Sequence, residues 1–149
     1  MNTDISKFDF EGFSIDAIKN ILQHEDPKCF LQWAQTHIMQ YFPAIPTAQD
    51  QATPDMLKSL AYTMASAIWN CTPLPGKQFK TQPLEKPQRN QICPCESVRK
   101  YKHCCNGAPS LPPFPEEMIW LNVISLIDYD KYEKQIRQRI PLRVLLISS

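Results

Sequence analysis

Between positions 27 and 71 apolar residues return every three or four positions, the spacing of helices that each bury one face. Phe30, Trp33, Ala34, His37, Ile38 and Tyr41 form one such stripe, and Leu57, Leu60, Ala61, Met64 and Ile68 form another that runs to about Cys71. Both have start signals: Asp26-Pro27 before the first and Thr53-Pro54-Asp55 before the second, a capping side chain followed by proline at the first helical position. Pro43 is placed to end the first. An earlier helix is expected from Ser14, read as its N-cap, to about His24, with Ile15, Ile18, Ile21 and Leu22 on one side. Two or three antiparallel helices over residues 14–71 would bury these stripes against one another.

The pattern changes after Cys71. Pro73, Pro75, Gly76, Pro83 and Pro87 stand among lysines and glutamines, the composition of a polar, semi-extended linker over residues 72–91. A second proline-rich stretch occupies residues 107–115. Beyond it Pro115-Glu116-Glu117 opens a helix whose first-turn acids complement its dipole. Residues 118–127 are apolar on nearly every side, so this helix must be buried against the N-terminal helices or a partner. Tyr129, Tyr132, Ile136 and Ile140 then mark a narrower stripe on a charged helix stopped by Pro141. The run Val144-Leu145-Leu146-Ile147 either folds back as a short strand or marks a truncated version of a longer helical protein, and truncation is favoured. The expected fold is mainly α: a helical domain over 1–71, a linker over 72–91, a small metal-binding module over 92–107, and a linker with one or two helices over 108–149.

Several residues on these stripes invite a functional reading that the pattern does not require. His37 is read as a hydrogen-bonded core histidine, Trp33 and Trp69 as core anchors, and Cys29 and Cys71 as small buried side chains. Phe8, Phe10 and Phe13 are read as a segment folding back onto the helices. Three glycines against fourteen prolines argue against a sheet-rich fold and leave no phosphate-cradling glycine loop.

The chemistry is concentrated between Cys93 and Cys105. Cys93-Pro94-Cys95, eight residues, then Cys104-Cys105 places four of six cysteines within thirteen positions. The N-terminus lacks a basic patch followed by an apolar run, and no stretch reaches the roughly 18 apolar residues of a membrane span, so a cytoplasmic protein with reduced thiols is expected. Metal ligation is then favoured over disulfides, the more so because a bridge between neighbouring cysteines is strained while both sulfurs can reach one ion. Pro94 stiffens the turn between the first two ligands, and residues 99–103 can supply a helical turn that returns the second pair. Four protein ligands leave no open coordination position, which points to structural zinc, with iron as an alternative. His103 competes with Cys105 for the fourth place.

Charge follows the same segment. Residues 77–105 carry seven bases (Lys77, Lys80, Lys86, Arg89, Arg99, Lys100, Lys102) against two acids, whereas residues 1–76 carry eight acids and four bases. Some of this charge would compensate the site, since four thiolates around a divalent ion sum to about −2.

The stretch CPCESVRKYKHCC resembles the SEC-C metal-binding motif, the small module found at the end of the SecA translocation ATPase. Cys93, Cys95, Cys104 and Cys105 fill the motif's ligand positions, and Ser97, Lys100, Tyr101, Lys102 and Gly107 also fall in register. Glu96 and Val98 depart from the usual glycines, and some 42 residues follow a module that ends the chain in SecA. The resemblance covers about residues 91–107 and implies a zinc-knuckle-like docking element for proteins and ribosomes, such as the SecB chaperone in the case of SecA. Arg99, Lys100, Tyr101 and Lys102 would then be the exposed contact residues, unless Tyr101 packs under the knuckle. The expected function is a non-catalytic, metal-stabilised interaction module. Direct RNA binding through the basic surface is the second reading, although no row of stacking aromatics accompanies it. Thiol redox chemistry is the third.

Overall fold

A computed structural model of the chain describes residues 8–41, 54–95, 99–105, 115–142 and 144. Among them are five α-helices and no sheet: α1 (Phe10–His24), α2 (Pro27–His37), α3 (Pro54–Cys71), α4 (Glu116–Leu126) and α5 (Tyr129–Arg139). Pro43, Thr53, the turn at Glu96, Ser97 and Val98, the stretch 107–114 and Leu145 to Ile147 lie outside the described residues, as does the burial of Leu57.

The first helix begins five residues earlier than its apolar stripe suggests. Asp9, not Ser14, is the N-cap, its Oδ1 accepting a 2.9 Å hydrogen bond from the Gly12 amide. Phe8 before the cap meets Phe13 in the second turn with ring centroids 5.5 Å apart, a hydrophobic staple that fixes how the chain enters the helix. The aromatic lead-in therefore belongs to α1 itself. Gly12 suits the third helical position because a Cβ there would strike the cap carboxylate. Ser14 is buried inside α1, and its Oγ has no hydrogen-bond partner among the described residues.

The second helix starts where its signals place it. Asp26 caps it by accepting from the amides of Lys28 and Cys29, and Pro27 opens it. A 3-10 turn, Ile38–Tyr41, follows. Phe30, Ala34 and Ile38 of this stripe meet Ala61, Met64, Ile68 and Trp69 of α3 and Phe13, Ile18 and Ile21 of α1 in one apolar core. α2 packs on α3, and α1 packs on α2, α3 and α4. Trp33 is half-buried, stacked between Phe13 and His37. The His37 ring is tied to the Trp33 carbonyl through Nδ1 at 2.8 Å. Cys29 is exposed rather than buried: it lies in the first turn of α2, and its thiol donates to Asp26 Oδ2 at 3.4 Å. Cys71 is half-buried against the core.

Residues 72–84 are a strap rather than a free linker. Thr72, Leu74 and Phe79 are buried. Phe79 stacks on Trp120 of α4 at 6.1 Å and meets Tyr132 of α5 edge-on. A bridge between Leu74 and Lys80 is closed by a tight turn in which Gln78 and Phe79 both have left-handed φ, 57° and 61°. The strap is tied down by the Trp69 indole donating to Gln82 O, by Asn70 Oδ1 accepting from the Leu84 amide, and by the Glu25 carboxylate accepting from the Gly76 amide. Composition conceals this because its apolar anchors, Leu74 and Phe79, are single residues whose partners are distant in sequence.

The apolar α4 buries Ile119, Trp120 and Val123 in the same core, settling its covering within the chain. Ile136 and Ile140 of the α5 stripe are also buried, Tyr129 and Tyr132 pack against the core from its edge, and Val144 joins it.

Candidate metal centre

The cysteine segment lies across the outer faces of α2 and α3. Its two limbs pair in antiparallel fashion: Ile92 bridges to Lys100, the Cys93 amide donates to Arg99 O at 2.8 Å, and the Tyr101 amide donates to Gln91 O at 2.7 Å. A single 3-10 turn, Tyr101–His103, then carries the chain to Cys104 and Cys105. One limb thus delivers Cys93 and Cys95 through the Pro94 turn, and the other returns the adjacent pair.

The four sulfurs come together, all within 4.8 Å of one another. Cys95 Sγ lies 3.4 Å from Cys104 Sγ, and Cys104 Sγ lies 3.9 Å from Cys105 Sγ. A tetrahedral zinc with bonds of about 2.3 Å separates its sulfurs by about 3.8 Å, so the cluster already has the dimensions of such a site. Cys93 and Cys95 are buried, and Cys104 and Cys105 are half-buried. His103 is exposed and is not part of this group.

The helices support the cluster with residues that spacing did not single out. Gln35 of α2 donates through Nε2 to the Cys95 carbonyl at 2.8 Å, and Ser59 of α3 has its Oγ 3.3 Å from Cys105 Sγ. Leu31 of α2 and Tyr62 of α3 close a second, smaller apolar cluster around Cys93, Cys95 and Tyr101. The available signal was the face of α2 opposite its core stripe, where Leu31 and Gln35 stand four residues apart. Their role depends on tertiary contact, which periodicity does not report.

Tyr101 is 8% exposed, packed beneath the cysteines. Arg99 and Lys100 are exposed and Lys102 is half-buried. Arg99 Nη2 lies 3.7 Å from Cys104 Sγ, where a cation offsets thiolate charge. Burial pushes the Cys105 thiol well above the usual range; Ser59 opposes this, and the neighbouring Cys93 and Cys95 add to it. Burial likewise raises Tyr101, and it pushes Tyr62 up to about 12. Without a metal Cys105 therefore favours its protonated thiol. A divalent cation reverses that preference, because coordinated thiols are deprotonated outright.

With this geometry in view, residues 89–106 match the SEC-C motif. The particular relatives are SecA proteins. The chain is 47% identical over 55 residues to protein translocase subunit SecA of Halothermothrix orenii, a stretch covering 35% of this chain and 6% of the relative. It is 54% identical over 33 residues to SecA of a Nitratiruptor species, covering 20% and 4%, and 32% identical over 76 residues to SecA of a Sulfurovum species, covering 46% and 9%. The chain thus spans less than a tenth of the length of each of these relatives, so the similarity concerns a module. No solved structure matches the chain. No helix among the described residues is long and apolar enough to cross a membrane.

Proposed function

We propose that Cys93, Cys95, Cys104 and Cys105 hold one zinc ion as thiolates, and that the metal-held segment is a non-catalytic docking module for a protein or ribosomal partner. The observation that carries this is the convergence of four sulfurs within 4.8 Å in a segment matching the SEC-C motif. Four thiolates complete a tetrahedron and leave no position for a reacting water, the arrangement of structural zinc. Iron accepts the same ligand set and is distinguished by metal analysis. Thiolate ligation goes with a reducing compartment such as the cytoplasm.

The docking surface is the exposed basic edge of the segment, Arg99 and Lys100 with Lys102 beside them. RNA binding has less support, because burial of Tyr101 removes the segment's one aromatic from any stacking platform. Redox catalysis needs a low-pKa thiolate, whereas burial moves Cys105 the other way.

Co-sedimentation with ribosomes and capture by a purified chaperone test the docking role. Lys100→Glu with Lys102→Glu, which spares Arg99 beside the sulfurs, is expected to weaken association about tenfold at unchanged metal content. A metal-loaded wild type that associates with neither partner would sink the docking role and leave the metal site standing.

A further inference from the structure

Threonine hydroxyls in and beside α2 and α3 turn back onto their own helix. Thr36 donates to Gln32 O at 2.9 Å, Thr63 donates to Ser59 O at 2.8 Å, and Thr72, just past the end of α3, donates to Ile68 O at 2.7 Å. Such back-bonding is a common use of a hydroxyl within a helix. Ser59 departs from it. Its hydroxyl makes no such bond among the described residues, and its hydrogen-bond contact is instead the Cys105 sulfur, 3.3 Å away. Ser59 stands three residues before Tyr62, a spacing that puts both on one face of α3, and Tyr62 packs with Cys93, Cys95 and Tyr101. The face of α3 turned to the cysteines thus carries an apolar support at Tyr62 and a polar one at Ser59.

Either atom of the Ser59–Cys105 pair can donate while the sulfur carries a hydrogen. The four-thiolate site of the proposed function, on which this inference rests, removes that choice: a thiolate only accepts, so the hydrogen comes from Ser59. The two adjacent sulfurs then each face a donor, Cys104 the Arg99 guanidinium at 3.7 Å and Cys105 the Ser59 hydroxyl. Arg99 lies inside the matched segment, residues 89–106, whereas Ser59 lies outside it, on the helical body.

Cys105 is also the ligand that such a donor guards. Cys93 and Cys95 are buried, but Cys105 is half-buried and, with Tyr62, Thr63, Ser66 and Tyr101, lines a pocket of about 290 Å³. A competing ligand that enters this pocket meets the site at Cys105. A hydrogen bond there draws charge from the sulfur and fixes its direction, and loss of an outer partner of this kind weakens metal affinity by about 10–100-fold.

We propose that Ser59 of α3 is a positioning residue of the metal centre, donating its hydroxyl hydrogen to the Cys105 thiolate and slowing metal release at the ligand that borders the pocket. The test loads full-length wild type, Ser59→Ala and Gln35→Ala with zinc or with cobalt(II) under reducing conditions. Alanine suits a helix interior at least as well as serine, so the first substitution leaves α3 intact. Gln35→Ala removes the tie from α2 to the Cys95 carbonyl without touching a sulfur, and so controls for simple loosening. Zinc transfer to pyridylazoresorcinol is expected to run about tenfold faster from Ser59→Ala than from the wild type. With cobalt, the sulfur-to-metal charge-transfer absorption of Ser59→Ala is expected at longer wavelength, because the donor stabilises the sulfur lone pair from which the electron is promoted. That of Gln35→Ala stays in place. Absence of either change in Ser59→Ala, or an equal absorption shift in Gln35→Ala, would overturn the role of Ser59 and leave the metal centre standing. A wild type that takes up neither ion would overturn both.

Discussion

Tyr101, Tyr62 and Cys105 link the candidate metal centre to the stability of the chain. Each prefers its protonated form in the folded, metal-free protein, chiefly because burial penalises charge. A group whose folded pKa is raised contributes stability below its ordinary value and loses it as pH climbs. Metal-free protein should therefore lose stability above pH 9.0, the ordinary value for Cys105, and again from 10.0 to about 12 as Tyr62 is drawn into ionising. With metal bound, the sensitivity moves to the acid side, where protons compete for the sulfurs. Thermal melts from pH 5 to pH 11, with and without chelator, should cross over in this way, and identical profiles would contradict it. The four cysteines were legible in the sequence because ligand spacing is a local property. Gln35 and Ser59 were not, since nothing near them in the chain reports that they meet the Cys95 carbonyl and the Cys105 sulfur.

Helix placement was legible where a cap and a stripe agree, as at Asp26-Pro27, and was misread where a second cap candidate stood closer to the stripe. Ser14 looked like a start, but the Phe8–Phe13 staple favours Asp9 and adds a turn to α1. The strap over 72–84 was hidden for a different reason. Its tight turn uses Gln78 and Phe79 in left-handed conformations usually given to glycine or asparagine, so the local sequence advertises no turn there. Burial of Phe79 against Trp120 and Tyr132 holds the strain in place. Gln78→Gly should relieve it and stabilise the protein by about 0.5–1 kcal/mol in denaturant titrations, net of the entropy glycine adds to the unfolded chain. Asp26→Ala should cost about 1 kcal/mol through loss of the α2 cap. A destabilising Gln78→Gly would mean that the turn is not strained.

For the whole molecule the decisive feature is the presence of two apolar clusters. The larger runs from Phe8 through α1, α2, α3 and the strap to α4, α5 and Val144, and contains none of the four clustered cysteines. The smaller, built on Tyr62, Cys93, Cys95 and Tyr101, has little apolar area apart from its sulfurs and tyrosines. Chelation should therefore release residues 89–105 while the helices persist: far-UV circular dichroism nearly unchanged, and amide exchange accelerated in that segment alone. Global unfolding on chelation would show the two clusters to be one cooperative unit. The central claim, that the four clustered sulfurs hold an ion, is tested most directly by elemental analysis of protein purified under reducing conditions. One zinc per chain is expected in the wild type, with stoichiometric binding lost in both Cys93→Ser and Cys104→Ser; a wild type that folds fully with no metal, or serine variants that retain it, would contradict the account.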